Sequence, residues 1–370
     1  MEVTVTAKVK LHVTEEQKGL ILETFRAYQQ GCNYISNAIY KEGAIQSLKK
    51  INAAHYLDIR MLFSLRSQMA QSAMKTAIAK YKSAKSNGHP FNQIRFKKKE
   101  FDLVWNRDYS LVEGLFSVNT LQGRIQVPFE RKGMEQFFDG VWKFGTAKLV
   151  MKKGKFYLHI PMKRDFPEVE KEAIENIVGV DVGINFLAVS YASGEECHFF
   201  QGRHIKDKRA QYKRVRKSLQ QKKTSSARRR LKKIGDRETR FSNHTNHVIA
   251  KALVRQAGKK SLIVIEDLKG IRSATEKACK QNRWYTVSWP FYKLREMIEY
   301  KAQMNQCQVI AVDPKYTSQM CPKCRHTEKK NRDKKKHRFC CKKCSYRSND
   351  DRVAAMNLYN RGIEYLTGTA

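Results

Sequence analysis

Two Cys-x-x-Cys pairs, Cys321 with Cys324 and Cys341 with Cys344, stand sixteen residues apart near the end of the chain. This spacing constrains the fold more than any other feature. Two knuckles that each offer two thiolates enclose one tetrahedral ion and force the chain between them into a short finger, as in a four-thiolate zinc ribbon. Nine cysteines in 370 residues are too few for a disulfide scaffold, and five of them crowd between Cys321 and Cys344, which points to metal. Cys340 in place of Cys341 spoils the two-residue gap and reads as a free thiol, while His326 and His337 are alternative ligands. The intervening KKNRDKKKHR is too polar to bury and reads as a basic finger able to touch nucleic acid. Cys32, Cys197, Cys279 and Cys307 read as core or surface thiols.

The chain as a whole is strongly basic. Lys plus Arg number 73 against 35 Asp plus Glu, giving a formal net charge of +38 and a pI of about 9.9. An excess of this size repels itself unless a polyanion neutralises it, and nucleic acid is the obvious one. Such a balance excludes an ordinary metabolic enzyme, while 41% hydrophobic residues exclude a basic disordered tail. The opening MEVTVTAKVKLHV alternates polar and apolar residues and has no apolar run of secretory or membrane type. A cytosolic or nucleoid-associated protein of two or three domains is expected.

Periodicity divides the chain. Residues 3–13 alternate like a strand, and Thr14 with Gln17 forms a capping-box signature for a following helix. Ile21, Phe25, Tyr28, Cys32, Ile35 and Ile39 then recur at helical spacing, and a second helical stretch runs from about Arg66 to Ala84, so residues 15–90 read as a small helical module. From Ile94 to Met162 the period becomes two, in short segments separated by turns such as KKGK at 152–155. This predicts an antiparallel sheet or small barrel, with residues 3–13 pairing into it and the helices inserted. A polar, acidic, Pro-containing linker follows at 166–176.

Beyond the linker, strands are predicted at 177–182, 186–191, 197–200, 261–265 and 307–312, with helices at about 243–257 and 292–303 between the later ones. That is the order of an RNase H-like sheet. Between the third and fourth strands, Arg203 to Arg240 is helical in pattern and almost single-signed. A solvated face is the plain reading of a charge run, but one sign throughout favours phosphate contact. Arg203, Lys213, Arg214, Arg216, Arg228, Arg229 and Arg230 are the candidates.

Asp181 and Glu266 each close an apolar strand, where desolvation normally excludes a carboxylate. Two such acids on neighbouring strands repel unless a cation lies between them, and magnesium or manganese takes oxygen ligands of this kind. The pattern is that of two-metal phosphodiester hydrolysis, which calls for a third carboxylate from a nearby helix. Asp351 is the candidate, Asp350 competes, and either acid has helix N-capping as its alternative role. Asp267 reads as a strand-end turn residue.

Taken in order, KLHVTEEQ, KLVMKKGKFYLHI, GVDVGINFLAV, VIEDLKGI, YTSQMCPKC, FCCKKC and DDRVAAMNLY resemble the TnpB family of transposon-associated RNA-guided nucleases and the related miniature type V CRISPR effectors. The resemblance covers nearly the whole chain, though the N-terminal half matches mostly by pattern. It implies a multidomain α+β fold: an antiparallel β wedge barrel (1–14 and 91–165) with an inserted helical recognition lobe (15–90), followed after the linker by an RNase H-like (RuvC) α/β domain (177–315 and 348–370) with an inserted zinc ribbon (316–347). It places the catalytic, magnesium-binding acids at Asp181, Glu266 and Asp351 and the zinc ligands at Cys321, Cys324, Cys341 and Cys344. It makes Lys269 to Trp289 a mobile segment beside the active site. The implied partners are a guide RNA and double-stranded target DNA, with a displaced single strand, beside a short adjacent motif. Oligomeric state is left open. Val353 departs from the family's usual Asn two residues after the last acid, which weakens the local helix-packing match. Two other readings are a nuclease-silent RNA-guided repressor of the same ancestry and a guide-independent zinc-ribbon nucleic-acid binder; the intact acids oppose the first and the long α/β half opposes the second.

Overall fold

The computed structural model describes residues 1–267, 289–334 and 336–369. Cys279 and the expected mobile segment, apart from Trp289, lie outside the described residues. The chain divides into two compact units at Asp165 and Phe166, the start of the expected linker.

In the first unit, β1 (Glu2–Leu11) leads to three helices, α1 (Glu15–Lys41), α2 (Leu48–Phe63) and α3 (Ser67–Ser86). Helix α1 starts where the sequence predicts. Thr14 accepts from the Gln17 backbone and the Gln17 side chain accepts from the Thr14 N–H, completing the capping box. Helix α2 carries no clear sequence signature, because Leu57, Met61 and Leu62 are exposed and only Ile51 and Ile59 are buried.

Short strands follow: β2 (Glu100–Leu103), β3 (Tyr109–Val112), β4 (Leu115–Asn119), β5 (Arg124–Val127), β6 (Phe129–Glu130), β7 (Lys143–Phe144), β8 (Ala147–Lys152) and β9 (Lys155–Asp165). Strand β1 pairs antiparallel with β9 along its full length, from Glu2 opposite Asp165 to Leu11 opposite Phe156. The sheet runs β2-β8-β9-β1-β6, with β7 also on β9, while β3-β4-β5 forms a separate meander. The pairing is an open path, so the barrel expected from the sequence is a partial one among the described residues. The helices are inserted between β1 and the rest of the sheet.

The second unit is built on β10 (Asn176–Asp181), β11 (Phe186–Ala192) and β12 (Cys197–Gln201). Then come α4 (Arg203–Lys222), α5 (Ser225–Ile234), α6 (Arg237–Ala257), β13 (Ser261–Glu266), α7 (Phe291–Met304) and β14 (Cys307–Val312). The small strands β15 (Arg332–Asp333), β16 (Arg338–Cys340) and β17 (Arg347–Asn349) precede α8 (Asp350–Thr367). The basic stretch is therefore three helices, broken at Lys223 and Gly235, whose φ values are positive, and the last begins at Arg237, earlier than the expected Asn243.

The main sheet is ordered β12-β11-β10-β13-β14, with β10, β13 and β14 parallel and β11 and β12 antiparallel. Its central strands are apolar on both faces because both are covered. Val178, Val180, Ile263 and Ile265 pack on α6 and α7, whereas Ile177, Leu262 and Val264 pack on α8 through Leu358. Helix α8 lies very close to the sheet. A Cβ at Gly179 would sit 2.2 Å from the Ala355 carbonyl oxygen, and one at Gly362 would sit 2.6 Å from Ile177 Cγ2.

Candidate active site and metal centre

The two-residue period of a strand fixes where the acids point. Ile177 and Gly179 of β10 face α8, so Asp181 does too. Leu262 and Val264 of β13 face α8, and Glu266 follows them. Val180 is in register with Ile265, so both carboxylates emerge side by side at the carboxyl ends of adjacent parallel strands, where open α/β sheets bind ligands. The first turn of α8 supplies Asp351. Asp181, Glu266 and Asp351 line one cavity of about 390 Å³.

The neighbouring acid behaves differently. Asp350 does not line this cavity; it is fully buried and paired with Arg332, whose Nε lies 2.7 Å from Oδ2, and His337 Nδ1 is 3.4 Å from its other oxygen. Neither acid is the N-cap. Asn349 holds that place, its side-chain oxygen accepting from the N–H groups of Asp351 and Arg352.

Burial, and then the charges of Glu266 and Asp351, push the Asp181 carboxyl well above its ordinary range. Burial also raises Glu266, against the hydrogen bond from Thr317. It raises Asp351 as well, reinforced by Asp350 and offset by Arg332 and His337. Three desolvated acids lining one cavity are hard oxygen donors, the kind that magnesium or manganese takes, while the donor atoms that already lie within 4.8 Å of one another here are those of His337, Asp350 and Asp351.

Around this set the chain supplies polar support that the sequence does not announce. Thr317 Oγ1 donates to Glu266 Oε1 at 2.6 Å, and the buried Asn357 of α8 donates to the carbonyls of Thr317 and Met320. Arg332 reaches from β15 to Asp350 and Ser318 and lies 3.8 Å from Asp351. His337 and Arg332 line the cavity, and His337 Nε2 is 2.6 Å from the Asn185 amide nitrogen. His337, an alternative zinc ligand by sequence, thus belongs to the acidic site. Asp267 pairs with Arg295 at 3.0 Å.

The four cysteines converge. Their Sγ atoms all lie within 4.8 Å of one another, with Cys321 to Cys344 at 3.6 Å and Cys324 to Cys341 at 3.5 Å. A tetrahedron with arms of about 2.3 Å has edges of about 3.8 Å, so the set fits zinc. Burial works against ionising Cys341, but backbone N–H groups of Cys344 and Lys343 and the neighbouring thiols draw it down to about 6. Cys340 stands outside the cluster, and His326 turns to Glu328 at 3.3 Å. The finger is not wholly solvated as expected: Asn331 is buried and bonds the carbonyls of Gln319 and His326. Val353 packs against Cys321, Phe339 and Cys341, so the departure from the family pattern joins α8 to the ribbon.

Of the basic candidates, Arg203, Lys213, Arg214, Arg228, Arg229 and Arg230 are exposed on α4 and α5. Arg216 is instead paired with Glu238 of α6 at 2.7 Å, and Glu238 also reaches the buried Arg209 at 3.6 Å. No helix among the described residues is long and apolar enough to cross a membrane.

The chain matches the family described as Cas12f1-like, TNB domain, over residues 291–358 and OrfB_IS605, probable transposase, over residues 159–271. It is 30% identical over 247 residues to the TnpB-like protein MJ0751 of Methanocaldococcus jannaschii, covering 63% of this chain and 83% of that protein. It is 29% identical over 244 residues to the CRISPR-associated endodeoxyribonuclease Cas12f1 of Sulfoacidibacillus thermotolerans, covering 61% and 55%. The chain spans about half the length of the curated Cas12f1 proteins it matches. Among solved structures, the protein of a Cas12f1-sgRNA-target DNA complex superposes with a TM-score of 0.61 at 14% identity, covering 97% of this chain and 99% of that one. The mini-RNA-guided endonuclease CRISPR-Cas_phi3 superposes at 0.59 and 11% identity, covering 98% and 92%. These likenesses are of fold.

Proposed function

The chain belongs to the TnpB family, and on that premise we propose that it is an RNA-guided DNA endonuclease dependent on magnesium or manganese. The observation that carries the reading is the meeting of Asp181, Glu266 and Asp351, from two strands and a helix, in one cavity. These three residues would hold the metal, which when bound supplies water activation and stabilisation of the leaving oxygen of a phosphodiester. Thr317 holds the Glu266 carboxylate in one orientation. Arg332 pairs with Asp350 and offsets part of the charge that this acid adds beside Asp351. Within the same reading, residues 1–14 and 91–165 are the wedge, 15–90 the recognition lobe, 177–315 with 348–370 the RuvC-like nuclease and 316–347 a zinc-holding ribbon that meets the target, with 166–176 as linker.

The exposed arginines and lysines of α4 and α5 take the guide, or the guide paired to its target, by the phosphate backbone. That contact reads charge and shape and leaves sequence to base pairing. The test is to sequence the RNA that copurifies with the protein, replace its guide portion, and offer a library of DNA duplexes that varies the flanking bases. Cleavage confined to duplexes matching the new guide, beside one short motif, is expected. Cleavage indifferent to the guide, or copurification of no defined RNA, contradicts the proposal.

A further inference from the structure

Away from the acidic site, the first unit holds a surface with no evident part in its core. The segment after α3 is strapped along the helices by side chains. Ser36 donates to the Ile94 carbonyl at 2.6 Å, Asn33 accepts from the Phe96 N–H at 2.8 Å, and the Tyr81 hydroxyl accepts from the Ile94 N–H at 3.3 Å. This strapping presents Phe91 at the surface, 41% exposed. Its ring stacks on Tyr40 with centroids 6.3 Å apart and planes 17° apart, and tilts against the buried Tyr81 at 5.4 Å.

Phe91 and Tyr81 line a cavity of about 840 Å³. A second cavity of about 370 Å³, lined by Arg95, Lys97 and Lys98, adjoins it through Lys80, Ser83 and Ile94. From Lys80 to Lys99 the chain carries seven Lys or Arg and no Asp or Glu. The second cavity also has Glu100 in its lining, 3.7 Å from Lys148, so the groove is predominantly basic. An aromatic face beside such a groove is what single-stranded nucleic acid requires: a ring for the base and cations for the phosphates. The side-chain amides of Asn87 and Asn92 at the first cavity can both donate and accept, as a ribose 2′-hydroxyl does.

We propose that the paired cavities hold an unpaired nucleotide of a single-stranded RNA, its base on Phe91 and its phosphates along Lys80, Arg95, Lys97 and Lys98. The inference rests on the reading of the chain as RNA-guided, and not on its nuclease chemistry.

The experiment measures binding of three labelled decamers to the full chain freed of copurifying RNA: oligo(rA), oligo(dA), and an abasic ribose-phosphate strand. Wild-type protein should bind oligo(rA) about tenfold or more tighter than the abasic strand, a ratio set by stacking. Phe91→Ala should collapse that ratio towards one, with the abasic affinity unchanged, and Phe91→Trp should keep it. An undiminished ratio in Phe91→Ala overturns the site, as does the absence of any preference in wild type. Equal, Phe91-dependent binding of oligo(dA) overturns the assignment to RNA. A change of abasic affinity in Phe91→Ala signals altered folding; the Phe91→Trp variant then decides, since fluorescence of the new indole unmoved by oligo(rA) also overturns the site. Guided cleavage is a separate readout, so failure of the nuclease reading leaves these binding ratios interpretable.

Discussion

Asp181 stands at an electrostatically unfavourable position for a carboxylate. Its carboxyl is raised by burial and by Glu266 and Asp351, so without metal the folded chain favours the protonated form. Stability from such a group is fully present below the unfolded pKa, about 3.9, and is lost as pH rises through the higher folded value. In chelator, stability should therefore fall as pH rises from about 4 towards neutrality. Asp181→Asn removes the charge at nearly constant shape, so at neutral pH in chelator its melting temperature should exceed wild type by about 2–4 °C, the shift expected for about 1 kcal/mol. Magnesium should stabilise wild type and leave Asp181→Asn nearly unmoved. Thermal melts with chelator and with magnesium measure both, and a lower melting temperature for the variant in chelator contradicts the electrostatic assignment.

Helix α8 is the element that assembles the site. Asp351 enters the cavity, Asn357 ties the chain before the first knuckle, Val353 enters the ribbon core, and Gly362 lets the helix lie against β10 and β13. One zinc per chain is expected by metal analysis. Cys324→Ser should lower it and, through Val353, loosen the start of α8, read as faster proteolysis near residue 350. Unchanged zinc content in that variant would make the cysteines ordinary thiols.

Much of this is legible in the sequence, because local chemistry dictates it. The Thr14 capping box, the apolar runs of β10 and β13 and the cysteine spacing each follow from rules that act within a few residues. What is not legible depends on partners distant in the chain. Nothing in KKNRDKKKHR marks Arg332 as the one that turns inward to Asp350. Glu238 sits near the end of the basic run without revealing that it holds Arg209 and Arg216. Helix α2 escapes a reading by pattern because its large apolar residues face outward, which erases the periodicity that reveals a buried face.

At the scale of the whole molecule, a net charge of +38 is a demand for phosphate. If α4 and α5 meet that demand, neutralising Arg228, Arg229 and Arg230 together should weaken binding of matched and unrelated guides alike. It should also flatten the slope of log K against log salt by about 0.7–0.9 for each phosphate no longer held. Binding titrations across salt concentrations check this, and an unchanged slope would show that these arginines face solvent only. The central claim is the use of the three carboxylates to cut guided DNA. It is tested most directly by loading wild type, Asp181→Ala, Glu266→Ala and Asp351→Ala with the same guide and following matched duplex DNA in magnesium. Wild type should cut while each variant binds the duplex and leaves it intact; normal cleavage by Asp181→Ala would contradict the claim.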